Sequence, residues 1–443
     1  RDAAAGSHAV STAVVAAEQA NPRSIPGAAL AACVVLILIG AAAFAMGLAS
    51  DPATAWRAFH VNYLYFGALA QGGVVVACAF VIIGAKWPGP VRRIAEGLGA
   101  WAPLTLVLFL VDFLGREYIY TNWINDPPPA KAVYLNPTRL FWMDLVILGV
   151  LALLTMAFLY NSVRPTLAGM SARGGMFARW TSGWRGDAEE IEVGAARCRK
   201  LAPIICLVYA LGWTFIAFDQ VMSLTPTWYS NLFGAYFCWG GFLSAVAATA
   251  LLMVLHRNSP GLEGEITKAR MHDIGKMLFA FSIFWMYLFF SQYLVIWYAN
   301  LPEETQFFEA RLGSQFLVDK SGINVLELAR TWDLAFFWER LREPYVKVTL
   351  LVWACCWVTP FWVLLGQRPK KTPAILGSVA AVVLFGFWLE RNILVWPSLV
   401  PKESFSFLGV VQVGIAAGFF GAFALVFLLY TRTFPSLAVP RRA

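Results

Sequence analysis

A chain of 443 residues with 59% hydrophobic and only 14% charged side chains is too apolar for a soluble domain, where about a quarter of residues carry charge. The formal charge of +8 would suit nucleic acid in a soluble protein; here it belongs to loops beside a membrane, and nucleic acid is not an expected partner. Composition therefore points to an all-α polytopic membrane protein.

Residues 1–26 are Ala-rich and polar, lack the basic head, apolar centre and cleavage site of a signal peptide, and read as a cytoplasmic tail. Ten apolar runs follow, each near the roughly 20 residues that cross a hydrocarbon core of about 30 Å. They fall at about 27–49, 59–85, 99–122, 139–163, 201–223, 233–256, 273–299, 346–366, 373–396 and 407–430. Barrel strands would alternate over about ten residues instead of running apolar without a break. The mixed-charge segment 164–200, with Gly174, Gly175, Gly183 and Gly186, reads as a docking loop or a surface helix. The segment 301–345 is too long for a simple connection. Within it Val325–Arg342 has amphipathic helical spacing, with Trp332, Phe336, Phe337 and Trp338, and suits a helix laid against a partner protein. Residues 431–443 form a second tail.

Lys and Arg set the orientation. The side of the N-terminus (1–26, 86–93, 164–200, 257–276, 368–371 and the C-terminus) holds 22 of the 34 basic residues, and the opposite side 12. The loop 224–232 is uncharged, and 301–345 carries eight acids against five bases. Both termini are therefore expected in the cytoplasm, as an even number of spans requires. Asp219 in the fifth span and Glu390 in the ninth are each followed seven residues later by proline, Pro226 and Pro397. This weak repeat makes spans 2–5 (about 59–223) and 6–9 (about 233–396) two four-helix bundles of the same orientation, with spans 1 and 10 flanking them.

Ionisable side chains within a membrane cost about 2.5–3.5 kcal/mol each on insertion scales, so those present call for a reason. Asp112, Arg116, Glu117, Asp144, Asp219, Glu390 and Arg391 all fall in the outer half of their spans, and His60 opens the second span at the same side. Asp112 and Arg116, four residues apart, share a helix face and are expected to pair. Glu117 points about 100° away, with Arg391 as its candidate partner. The set reads either as ion pairs that fix helix packing or as a polar cavity, open to the outer side, that exchanges protons or holds a quinone head group. At the inner side His256, His272, Asp273 and Lys276 are loop-end residues or the mouth of a cytoplasmic proton path. Gln71, Tyr209, Thr214, Ser244, Ser282 and Tyr287 are the few polar groups between.

Seven cysteines (33, 78, 198, 206, 238, 355 and 356) contain no CxxC and sit mostly in apolar helices, where thiols act as small hydrophobes. The four histidines are not placed for a bis-histidine haem, so no intrinsic redox centre and no metal is expected. Trp228, Tyr229, Trp297, Tyr298 and Trp396 form an interfacial belt, some of which can wall a quinone pocket.

Three segments, GWTFIAFDQVMSLTPTWYSNLFGAY (212–236), FSQYLVIWYANLPEET (290–305) and ERNILVWPSL (390–399), resemble the NrfD-like, polysulfide-reductase-C-like membrane proteins. Within that family they are most similar to the ActF branch found in alternative complex III. The resemblance covers spans 2–9. It implies a non-redox membrane subunit, in the bacterial inner membrane, of a quinol:electron-acceptor oxidoreductase of the cytochrome c type. It further implies a homologous NrfD-like sister subunit, an iron–sulfur subunit, multihaem cytochromes and small membrane subunits as partners. Haem and iron–sulfur centres would lie in those partners, with menaquinone or ubiquinone nearby and bound lipids. The family's quinol site is placed in the sister subunit, which leaves this chain proton translocation or support; on matching positions Asp112, Arg116, Asp144, Asp219, Glu390 and Arg391 are its outer polar residues. From the residues alone, a chain that binds quinol itself, a secondary transporter working alone and a scaffold also remain open. Against the transporter, Pro226, Pro302 and Pro397 cluster at span ends rather than mid-membrane.

Overall fold

The structure, a computed structural model, describes residues 25–167, 175–259, 262, 264–313, 343–401 and 408–434. The tail up to residue 24, Gly174, the expected amphipathic helix at 325–342 and the tail from 435 lie outside them.

Among the described residues ten helices are long and apolar enough to cross a membrane. They are α1 (Gly27–Ser50), α2 (Pro52–Ile82), α3 (Pro90–Ile119), α4 (Pro137–Thr166), α5 (Asp187–Leu224), α6 (Asn231–His256), α7 (Lys268–Ala299), α8 (Pro344–Val363), α9 (Pro373–Leu399) and α10 (Val410–Thr433). The fold is an all-α, multi-pass membrane fold. Five of these helices start on proline, whose fixed φ suits the first turn and whose missing N–H is not needed there. Asp51 caps α2 through Thr54, and Asn136 caps α4 through Thr138 and Arg139. Asn300, in the left-handed region, ends α7, and Pro302 at once begins a short helix, Pro302–Leu312.

Two helices start well before their apolar runs. α3 begins at Pro90, so Arg92, Arg93 and Glu96 lie inside it. α5 begins at Asp187, so the second half of the segment 164–200 is helix, tied back by Arg164 to Glu190 at 2.8 Å. Hydropathy alone hides such charged turns.

Helices α2, α3, α4 and α5 pack in a closed ring, and α6, α7, α8 and α9 in a second. The rings join through α2 and α6, whose apolar cores are 83% and 78% buried. These two backbones nearly touch: a Cβ on Gly72 would lie 2.5 Å from the Gly241 carbonyl oxygen. The antiparallel pair α1–α10 packs outside on α2, its axes brought together where Gly40 faces Gly418. Small residues at such crossings are the usual device for helix contact in a membrane.

One end of the bundle carries the 224–231 loop and helix Pro302–Leu312 and is called the acidic end; the other, with both described chain ends, is the basic end. Gly40→Leu should lower stability by about 1–3 kcal/mol through overpacking. Gly149→Ala, where an added Cβ meets nothing within 4 Å, should leave it unchanged; thermal unfolding in detergent checks both.

Candidate functional site

The first ring buries a connected polar group near its acidic end. α2 places His60 two turns in, and α3 brings Asp112 beside it: Nδ1 lies 2.8 Å from Asp112 Oδ2. His60 Nε2 lies 3.0 Å from the Gln220 backbone carbonyl. A carbonyl only accepts, so Nε2 carries a hydrogen. The Nδ1–Asp112 contact then holds one proton, as imidazolium with carboxylate or as imidazole with carboxylic acid. Either way the pair stores a proton that can move.

Gln220 carries the connection onward. Its side-chain amide donates to Asp144 Oδ2 at 2.8 Å. Its neighbour Asp219 accepts from Arg139 at 2.6 Å, and the Ser223 hydroxyl donates to the Asp219 carbonyl. Arg139 also donates to the Tyr134 carbonyl and stacks on the Tyr134 ring at 3.9 Å. Its side chain is 25% exposed, whereas that of Asp219 is fully buried. A line of groups thus runs from buried Asp112 through His60, Gln220 and Asp144 to the Asp219–Arg139 pair at the acidic end. Tyr63, Tyr120 and Trp123 close around it.

Each carboxylate in this line has one oxygen without a protein hydrogen-bond partner: Asp112 Oδ1, Asp144 Oδ1 and Asp219 Oδ2. Glu390 Oε1 in the second ring is a fourth, with the Tyr236 hydroxyl beside the Glu390 carboxyl as the Tyr134 hydroxyl is beside that of Asp219. A buried acceptor left unmatched costs about 1–3 kcal/mol, more when charged. Such oxygens are satisfied by a proton or by water, and both make the group a station for proton transfer.

In the second ring Glu390 pairs with its own neighbour, Arg391, at 2.5 Å. Arg391 also donates to the Phe237 carbonyl and stacks on the Phe237 ring. The two acid–proline helices meet at their ends. Asn122 donates to the Leu224 carbonyl at 2.7 Å and to the Ser398 carbonyl at 2.9 Å, and Thr225 bonds Ser398 at 2.9 Å.

Some expected pairings fail. Arg116 does not reach Asp112; it lies 3.7 Å from Glu117, and both are partly exposed. Phe113–Gly115 is a 3-10 turn, which rotates Arg116 off the face that holds Asp112. Glu117 does not meet Arg391. At the basic end His256 donates to the Leu252 carbonyl and packs on Phe427, while Asp273 and Lys276 pair at 2.7 Å on the surface. His272, partly exposed on α7, completes no buried group with them.

The buried group at the basic end is one that the apolar runs hid. Glu96 is 0% exposed and bonds Arg92 and Arg93, both at 2.8 Å, and Ser162 at 2.7 Å. The signal for it was the run Pro90–Glu96, a proline start followed by two arginines and a glutamate one turn later. Between the two ends Gln71 bonds Thr155 at 3.1 Å. Gln71 lies 11 residues past His60 and Thr155 lies 11 past Asp144, about 16 Å along each helix at 1.5 Å per residue. The first ring thus carries polar groups at three depths, too far apart to hydrogen-bond directly.

Among the described residues no group of three or more His, Cys, Asp or Glu side chains is placed to hold a metal ion. His60 and Asp144 are 0% exposed, so a quinone ring does not reach them in this conformation. Neither a family model nor a curated protein matches the sequence.

Replacing His60 by Gln removes one partner of a buried pair and should cost about 3 kcal/mol. Combined with Asp112→Asn, it should cost clearly less than the two single losses added. Arg116→Gln, at a partly exposed side chain, should stay within about 0.5 kcal/mol. Denaturant unfolding followed by tryptophan fluorescence measures all four proteins.

Proposed function

We propose that this chain is a non-redox membrane subunit of a quinol:electron-acceptor oxidoreductase of the alternative complex III kind, in which it holds and exchanges protons on the outer side. The observation that carries this is the set of four buried carboxylates, each with an unmatched oxygen; His60 and Gln220 link Asp112 to Asp144, and Asp219 is the chain neighbour of Gln220. Quinol oxidation releases protons, and buried carboxylates near a surface are groups suited to take them up and pass them on.

The order of transfer follows from the contacts. The His60–Asp112 pair is the deepest store. Asp144 is joined to it through Gln220, which holds His60 by its backbone carbonyl and Asp144 by its side chain. Asp219 stands last, with half-buried Arg139 between it and the surface. Water beside the unmatched oxygens carries the proton between these stations.

Charge distribution supports an orientation with both termini in the cytoplasm of a bacterial inner membrane, so the acidic end faces outward. The segments that resemble the NrfD-like proteins contain Asp219, Gln220, Trp228, Gln292, Glu390, Arg391, Pro397 and Ser398. The resemblance therefore reaches Asp219, Gln220, Glu390 and Arg391 of the site, though not His60, Asp112 or Asp144, and favours the same partners: a homologous membrane subunit, an iron–sulfur subunit, multihaem cytochromes and small membrane subunits. Full burial of His60 favours a quinol site, for menaquinone or ubiquinone, in the sister subunit rather than here.

In the reconstituted complex, Asp112→Asn and Asp219→Asn should each slow proton release by roughly 10²-fold while the complex stays assembled. Unchanged release per quinol would remove the role from that residue. Purification from native membranes should bring haem and iron–sulfur proteins with the chain; a chain purified alone would favour the transporter. A photoreactive quinone that labels peptides around His60 and Asp144 would make this chain the quinol binder instead.

A further inference from the structure

The second ring has its own route toward the acidic end, and one side chain stands across it. A narrow, largely apolar crevice with a cavity volume of about 30 Å³ runs between α6, α7, α8 and α9. Glu390, Tyr236, Gln292 and Thr349 supply polar surface, and four phenylalanines with other apolar side chains most of the rest. A second hollow, of about 280 Å³, is wider and polar, bordered by Asn122, Thr225, Thr227, Gln306 and Ser398. Two residues border both: Phe307 and Arg311, from helix Pro302–Leu312.

Arg311 is 4% exposed. Among the described residues it has no carboxylate within ion-pair distance. Its guanidinium donates instead to the carbonyls of Ile393, Phe307 and Leu394 and to the Ser398 hydroxyl, at 2.7–2.9 Å. The flat face lies 3.4 Å from the centre of the Phe307 ring, and Phe307 in turn stacks on Trp228 at 3.7 Å. Burial pushes the Arg311 guanidinium down to about 9, which leaves it charged at neutral pH.

Part of this arrangement is structural. Pro397 lacks an N–H, so the Ile393 carbonyl loses its helical partner, and Arg311 supplies one. A neutral donor would do that much. A full positive charge with no counter-ion among the described residues is costly, and the carboxylate that borders the same crevice is Glu390, whose Oε1 has no hydrogen-bond partner among them.

We propose that Arg311 is a gating residue, and that Glu390 exchanges its proton with the polar hollow past it. Glu390's part here rests on the proton-handling role proposed above. While Arg311 lies on the α9 carbonyls, its charge and the Phe307–Trp228 stack keep hydronium out of the crevice. Glu390 Oε2 stays with Arg391; loss of a proton from Oε1 to water leaves a charge that draws the Arg311 guanidinium inward, away from Ser398, and the two hollows join. Reprotonation of Glu390 releases Arg311 to the carbonyls. No electron moves and no covalent bond other than O–H changes.

The test is carboxyl labelling of the assembled complex with a water-soluble carbodiimide, quantified per peptide by mass spectrometry. Glu390 should label slowly in the native protein and about tenfold faster in Arg311→Ser, as a local opening requires. Arg311→Lys, which keeps the charge, should stay close to native. Asp112 and Asp219 should label equally in all three. Equal labelling of Glu390 in native protein and Arg311→Ser would overturn the gate. So would a rise at Asp112 and Asp219 that matches the rise at Glu390, since that reports general loosening. If labelling is gated but Glu390→Gln leaves proton release per quinol unchanged, the gate stands and proton exchange through Glu390 is overturned.

Discussion

The structure depends on keeping carboxylates inside helix rings that lie in a membrane. Each such group costs about 2.5–3.5 kcal/mol to insert, and an ion pair returns little of that as stability. The two rings lower the cost by geometry. α2 and α6 run through the centre, buried on nearly all sides, so polar groups that face them meet protein rather than lipid. His60 on α2 therefore has Asp112 and the Gln220 carbonyl as neighbours. The lipid-facing surface stays apolar, as exposed Leu38, Val107, Leu153 and Phe420 show.

The rings share an architecture but differ in what they hold. In the first, Asp112, His60, Gln220, Asp144 and Asp219 come from four helices and form one line. In the second, Glu390 and Arg391 are neighbours on one helix, and Arg311, the buried cation that borders the same crevice, comes from outside the spans. Pro226 follows α5 by two residues and Pro397 lies in the last turn of α9, and Asn122 bonds to both ends. The ends of the two helices that carry Asp219 and Glu390 are therefore tied together at the acidic end. That arrangement gives physical content to the repeat of Asp219–Pro226 and Glu390–Pro397.

All ten spans were legible in the sequence, because unbroken apolar runs have no other use in a chain of this composition. The paired rings were legible from the acid–proline spacing. The contacts were not. Pairing Asp112 with Arg116 assumed a regular helix, and the 3-10 turn at Phe113–Gly115 breaks that assumption. A hydropathy window places Arg92 and Arg93 in the 86–93 loop and starts the span near 99, past Glu96, because it rejects charged turns, although a proline start marks the helix. Arg139 and Arg311 sit at or beyond span edges, where a cation looks like surface until packing shows what it covers. Sequence gives the depth of a residue in a membrane; it does not give its partner across helices.

Unmatched oxygens on buried acids are the central feature, so the deciding measurement is a high-resolution map of the assembled membrane complex that resolves ordered water. Water density is predicted within hydrogen-bond distance of Asp112 Oδ1, Asp144 Oδ1 and Asp219 Oδ2, continuing past Arg139 to the surface. Dry apolar packing against all three oxygens, with no water between Asp219 and the surface, would contradict the account and leave the carboxylates as helix-packing groups.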